Sequence, residues 1–352
     1  RENEVYYFRY LCAGAFPAIA SSALSGLFTG LGRTFQVMVV TVAATALNLV
    51  LDYALIFGRM GMPEMGIRGA ALATVASGVF SVVAYVSVMV RDPYRTTFAT
   101  LSGWRFDSEL FGRLVRYGMP SGVQFFLDMA GFTAFVLIVG RLGTTSLAAT
   151  NIAFNIISLA FMPMIGVGIA VSVLVGRYIG MGRPDLATRS TYAGFFITTV
   201  YMGTVAALYV LVPWLFTAPF ASQAQQGSFD EIRRLTEVLL RFVALYSLFD
   251  TMNVVFASAL KGAGDTRFVM YGIVSVSALV LVLPTWIAVM VLGMGIMAAW
   301  AWATAYVILL GFVFFLRFLQ GRWKTMRVIE EPCPVHAIAP ASAECPDMKF
   351  EP

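Results

Sequence analysis

Stretches of about 20 predominantly apolar residues recur along this chain, each long enough to cross a hydrocarbon layer of about 30 Å as an α-helix. Nine are legible, at 6–28, 35–57, 69–90, 117–140, 145–175, 190–215, 238–260, 268–292 and 295–318. Within a bilayer there is no water to satisfy backbone N–H and C=O groups, so a spanning segment must close its own hydrogen bonds. The runs are about twice too long for strands of a membrane barrel, and they do not alternate polar with apolar. Composition agrees: 59% of the 352 residues are hydrophobic and only 12% are charged, against about a quarter charged in soluble domains. The fold class expected is therefore an all-α polytopic membrane protein. Gly, Ala, Ser and Thr are scattered through every run, as suits helices whose backbones approach closely in lipid.

The net charge of +5 does not point to nucleic acid, because no basic and aromatic residues cluster into a groove. It reports topology instead. If the C-terminus is cytoplasmic, the loops on that side hold 16 of the 24 Lys and Arg residues, among them Arg91, Arg113, Arg183 and Lys324. Such a bias places the C-terminus inside a cell (plasma or inner) membrane. Cys12, Cys333 and Cys345 form no disulfide framework, and His336 is the lone histidine, so neither a metal site nor a cofactor is expected.

An internal repeat organises the chain. Gly30-Leu31-Gly32-Arg33-Thr34 follows one span, and Gly262-Ala263-Gly264-Asp265-Thr266 follows another. After each come a span, a short turn and a further span, with Gly66, Ile67 and Ala70 at the first turn and Gly295, Ile296 and Ala299 at the second. The implied unit is a six-helix bundle occurring twice, as in transporters whose halves are related by an axis along the membrane normal. Residues 1–90 read as the last three helices of a first lobe, 91–116 as a cytoplasmic inter-lobe linker, 117–320 as a second six-helix lobe and 321–352 as a disordered, Pro-rich cytoplasmic tail. The counterparts of 117–140, 145–175 and 190–215 would precede residue 1, so the expectation is nine spans of a parent twelve, a fragment.

Three acidic residues fall well inside spans: Asp52, Asp128 and Asp250. An ionised side chain there costs a few kcal/mol (about 2.5–3.5 on insertion scales) and persists mainly where it faces a cavity or a partner. At about 1.5 Å per residue, Asp128 and Asp250 both approach the midplane, where alternating-access carriers bind substrate and coupling ion. A carboxylate in that position can hold Na+ or take a proton. Asn48 stands one turn before Asp52, and an amide oxygen beside a carboxylate is a ligand pair that a hard cation accepts. Gln124, Asn151 and Asn155 are candidates to line a polar cavity. The plainer reading of all these side chains is hydrogen bonding between helices. Pro17, Pro163 and Pro284 lie within spans, where each removes a backbone hydrogen bond. The Gly262–Asp265 stretch also satisfies the G-x-G-D pattern of intramembrane aspartyl proteases, but Asp265 sits at a span end, away from any dyad with Asp250, and no enzyme is expected.

The stretches Gly30–Thr34, Asn48–Asp52 and Gly66–Thr74 resemble spans four to six of multidrug and toxin extrusion (MATE) transporters. Gly118–Asp128 resembles their seventh span, and Leu248-Phe249-Asp250 through Thr266 resembles their tenth. The resemblance implies two six-helix lobes in a V around a central cavity, and a cation-coupled exporter. It implies a coupling role for Asp128 and Asp250, as in one branch of the family, and a first-lobe cation site at Asn48, Asp52 and Thr74, as in another. An aspartate of the first span, which completes that first-lobe site in the family, is not in this chain.

The function expected is a Na+- or H+-coupled antiporter that exports amphipathic, cationic or neutral small molecules by alternating access, its partners being substrate and lipid bilayer. No metal beyond Na+ at the coupling sites is called for, and oligomeric state is left open. The alternatives are a lipid or lipid-linked precursor flippase of the same superfamily, which should carry Lys or Arg deep in several spans, and an inactive truncated fragment.

Overall fold

The computed structural model describes residues 2–91, 94, 106–221 and 229–326. Among these residues nine helices are long and apolar enough to span a membrane. They are α1 (Glu2–Gly30), α2 (Thr34–Ile56), α3 (Ile67–Val90), α4 (Ser108–Gly140), α5 (Thr144–Gly180), α6 (Pro184–Leu211), α8 (Phe229–Gly262), a composite span over Thr266–Val291, and α11 (Ile296–Leu319). A short helix, α7 (Pro213–Ala221), follows α6. The composite span begins as α9 (Thr266–Val276) and widens into a π-helix over Ser277–Val282. It returns for one turn as α10 (Leu283–Trp286), then widens again over Ile287–Val291. Pro284 sits between the two wide stretches; its missing N–H is a cause of such a break in the i→i−4 ladder. Pro17 and Pro163 are instead absorbed within α1 and α5.

Several boundaries differ from the sequence reading. α4 starts at Ser108, nine residues inside the segment read as linker. Asp107 explains the start, since its Oδ1 accepts the backbone N–H groups of Glu109 (2.9 Å) and Leu110 (3.2 Å), satisfying two of the donors a helix start leaves open. The polar first turns, with Glu109, Arg113 and Arg116, carry no hydropathy signal. The tail is likewise ordered as far as Met326: Arg322–Thr325 form a 3₁₀ turn, and Trp323 is buried, stacked on Phe318 at 4.7 Å with its indole N–H donating to the Phe318 carbonyl. The rest of the linker (92–105 apart from Tyr94), 222–228 and the tail from 327 lie outside the described residues.

The chain divides into two compact units, Arg1–Phe111 and Gly112–Pro352. In the first, α3 packs along both α1 and α2, while α1 and α2 touch little. Glycine permits the approach: a Cβ on Gly69 would stand 2.7 Å from the Leu55 carbonyl oxygen, and one on Gly14 2.8 Å from Val75. A small core closes one end, with Phe28 stacked on Tyr85, edge-on to Tyr94, and the Tyr94 hydroxyl donating to Gln36.

In the second unit α8 is the central helix and packs against α5, α6 and α11. Gly168, Ser172 and Gly176 recur every fourth residue on α5 and so share one face. A Cβ on Gly168 would lie 2.8 Å from Ser258 Oγ, one on Gly176 3.0 Å from the Gly262 carbonyl oxygen, and one on Gly262 would collide with the Ser172 carbonyl. Here backbone meets backbone, the packing expected where small residues replace the hydrophobic drive that water supplies. α4 differs: among the described residues it has no comparably close run against another element and is tied in by side chains.

The sequence repeat is a structural one. Arg33 N donates to the Phe28 carbonyl (2.9 Å) and Gly32 N to that of Thr29 (2.9 Å); Asp265 N donates to Leu260 (2.9 Å) and Gly264 N to Lys261 (3.0 Å). This is the paired bonding of a Schellman turn, which needs the positive φ that Gly32 (+75°) and Gly264 (+94°) supply. The three helices around each turn pack alike, the third of each set lying along the first and second.

Candidate functional site

The second unit brings Asp128 and Asp250 into one electrostatic neighbourhood from two different helices. Asp128, on α4, is half-buried and accepts a hydrogen bond from the Tyr306 hydroxyl of α11 at 3.1 Å. Asp250, on α8, is 9% exposed and accepts from the Asn253 amide, one turn on, at 3.1 Å. The charge of Asp128 reaches Asp250, and Tyr306 lies in the field of both. Lys261, at the end of α8, adds a cationic field that reaches Asp128. Each acid thus has a neutral donor bonded to it, and Lys261 acts on Asp128 only through its field.

Gln124, one turn before Asp128, is buried with its Oε1 enclosed and without a hydrogen-bond partner. One to two turns beyond Asp128 stands an aromatic group: Phe132 meets Phe154 at 6.0 Å, while Phe135 and Phe154 meet Trp300 at 6.1 and 5.6 Å. The Trp300 indole N–H donates to Thr150 at 3.3 Å. Asn151 and Asn155 are exposed, and the Asn155 amide folds back onto the Asn151 carbonyl at 2.8 Å instead of reaching another helix.

In the first unit Asn48 and Asp52 share a face of α2, and both carry an enclosed atom, Nδ2 and Oδ1, with no hydrogen-bond partner. Asp52 also borders a groove of about 530 Å³ whose other walls, Leu49, Tyr53 and Phe57 among them, are apolar. Thr74, on α3, spends its hydroxyl on the Ala70 carbonyl of its own helix at 3.0 Å. Asp265 has a structural employment: Arg317 pairs with it at 2.9 Å, both being largely buried, and the guanidinium lies 4.4 Å over the Phe268 ring.

Sequence reading overlooked Tyr306, Asn253 and Lys261. Asn253 was findable, since it stands three residues after Asp250 on the same helical face. Tyr306 offered only a buried hydroxyl in need of a partner, and which carboxylate it meets is a matter of tertiary packing.

Long apolar helices, packed through glycine and carrying acids within the spans, are those of a multi-pass α-helical membrane protein. The fold is that of "MATE in the bent conformation", with a TM-score of 0.78 at 20% identity over 91% of this chain and 69% of that one. It also matches the eukaryotic MATE transporter AtDTX14, at 0.79 and 20% over 91% and 69%. The MatE family model matches residues 120–287. Among relatives, the probable multidrug resistance protein NorM of Thermotoga maritima is 29% identical over 327 residues, 92% of this chain and 68% of that protein. The NorM of Mesorhizobium japonicum is 31% identical over 266 residues, 75% of this chain and 56% of that protein. The chain is similar to MATE-family proteins over these stretches, and it spans between about half and about two thirds of the length of these relatives.

Proposed function

We propose that the protein is a cation-coupled antiporter that exports amphipathic small molecules, cationic or neutral, by alternating access, from a plasma or inner membrane in which its C-terminus is cytoplasmic. The observation that carries this reading is that Asp128 and Asp250 are carboxylates on separate helices, inside spans, with the charge of Asp128 reaching Asp250 and each acid bonded to a neutral donor. Two nearby carboxylates in low dielectric repel when both are ionised and attract a cation or proton strongly. Occupancy by Na+ or H+ relieves the repulsion, and loss of that cation restores a negative pocket that favours a cationic substrate. The two occupancies therefore exclude one another, which is the requirement for exchange. Phe132 and Phe154, which are partly exposed and meet edge-on, give an amphipathic substrate apolar and π faces to bind within a few turns of the acids. The relatives' naming as multidrug resistance proteins supports the substrate class.

The test is substrate efflux from vesicles carrying the complete reading frame, with an imposed Na+ or H+ gradient, beside Asp128→Asn and Asp250→Asn. Efflux should follow one of the two gradients and fall at least about tenfold in each variant at equal folded protein, one hydrogen-bonded charge being worth about 1.5–3 kcal/mol. Variants that export as well as the parent would make both acids structural.

A further inference from the structure

Asp128 sits on the long helix of its unit that is least tied by close backbone packing. α4 reaches its neighbours through side chains: Gly131 under the Ser277 hydroxyl, Phe135 against Trp300, and Asp128 against Tyr306. Of these ties, the last alone involves an ionisable group. Tyr306 is 3% exposed, and its hydroxyl donates to Asp128 Oδ1 at 3.1 Å.

A carboxylate emptied of its cation inside a bilayer requires a donor, since leaving it bare forfeits the full desolvation penalty. Lys261 acts on Asp128 through its field, while Asn253 serves Asp250. The bonded donor on Asp128 is the phenol, which supplies a proton to the carboxylate oxygen without supplying a net charge.

We propose that Tyr306 is the placeholder for the coupling cation at Asp128: its hydroxyl occupies the carboxylate when the cation has left and withdraws when the next one binds. The hydrogen bond it gives up is also a tie between α4 and α11, so cation binding loosens the helix that bears the acid. Tyr306 is thus a positioning residue whose bond belongs to the empty state alone. This inference rests on the cation-coupled reading above.

The consequence has a direction. Tyr306→Phe removes the donor from the empty site and nothing from the occupied one, so the cation is held more tightly and released more slowly. A residue that coordinates the cation would behave oppositely on substitution, and one that only packs would leave cation affinity unchanged.

The experiment uses the complete reading frame, purified and reconstituted, with two readouts. One is efflux rate against concentration of the driving cation, Na+ or H+. The other is the cation-dependent rise in melting temperature of the purified protein, which reports binding whether or not transport occurs. In Tyr306→Phe the half-saturating cation concentration should fall about tenfold in both assays, the order expected for one hydrogen bond to a charged group, while maximal efflux falls. An unchanged or raised half-saturation in the variant, with a wild type that follows the gradient, overturns the placeholder role and leaves the antiporter reading standing. A wild type whose efflux and melting temperature ignore both cations overturns the reading itself. Tyr306→Leu, which has neither a donor nor the ring, separates loss of the bond from loss of bulk: it should share the lowered half-saturation.

Discussion

At the scale of single residues, the chain treats its buried charges in two ways. Asp265 is neutralised at once by Arg317, with side chains 7% and 13% exposed, whereas Asp128 and Asp250 are bonded only to neutral groups. The first arrangement is structural and costs dearly when halved. Arg317→Met should destabilise the protein by about 3–5 kcal/mol, and replacing both partners with apolar residues should recover most of that loss. Equilibrium unfolding of the single and double variants checks this, and a single variant as stable as the parent would show that the pair contributes nothing. Asp128 and Asp250 were legible in the sequence because an acid within an apolar run has few tolerable environments. Their donors were not, because Tyr306 is 178 positions from Asp128 and only packing joins them. Asn151 and Asn155 show the converse: correct in spacing, yet Asn155 bonds to its own helix.

Among the elements, hydropathy located all nine spans of the described residues and missed what lies outside the apolar layer. The first turns of α4 are polar and capped by Asp107, and such turns leave no trace in an apolar count. The π-helical stretches around Pro284 were invisible for a different reason, since a proline marks a break without saying how the ladder is rejoined. A further turn of the repeat's type, with Arg183 N donating to the Tyr178 carbonyl (2.8 Å) and Gly182 N to that of Ile179 (2.9 Å), was present as Gly180-Met181-Gly182-Arg183-Pro184 and escaped notice because it ends in proline where the others end in threonine. Close helix crossings give the sharpest prediction at this scale. Gly262→Ala should disrupt the packing of α5 on α8 and lower the melting temperature by many degrees. Gly166→Ala, on α5 where an added Cβ meets nothing within 4 Å, should be neutral or slightly stabilising through helix propensity. Equal effects of the two substitutions would refute the account.

For the molecule as a whole, the charge bias, the alternation of spans and the three glycine turns make one statement about topology. The turns before α2, α6 and α9 should face the same side as the end of α11. In a background lacking Cys12, Cys333 and Cys345, cysteines placed at Arg33, Arg183 and Arg322 should react with a membrane-impermeant maleimide from the cytoplasmic face alone, and labelling of any one from outside would invert part of the topology. The crossing of α5 and α8 bears on how such a molecule transmits force. Asp250 lies about 18 Å along α8 from Gly262 at about 1.5 Å per residue, and at Gly262 the two helices touch main chain to main chain, with no rotamer between them to absorb a displacement. A torque arising at the acid cannot be dissipated by side-chain rearrangement there. α5 and α8 are therefore fixed to one another at that glycine, and neither can be displaced there without the other.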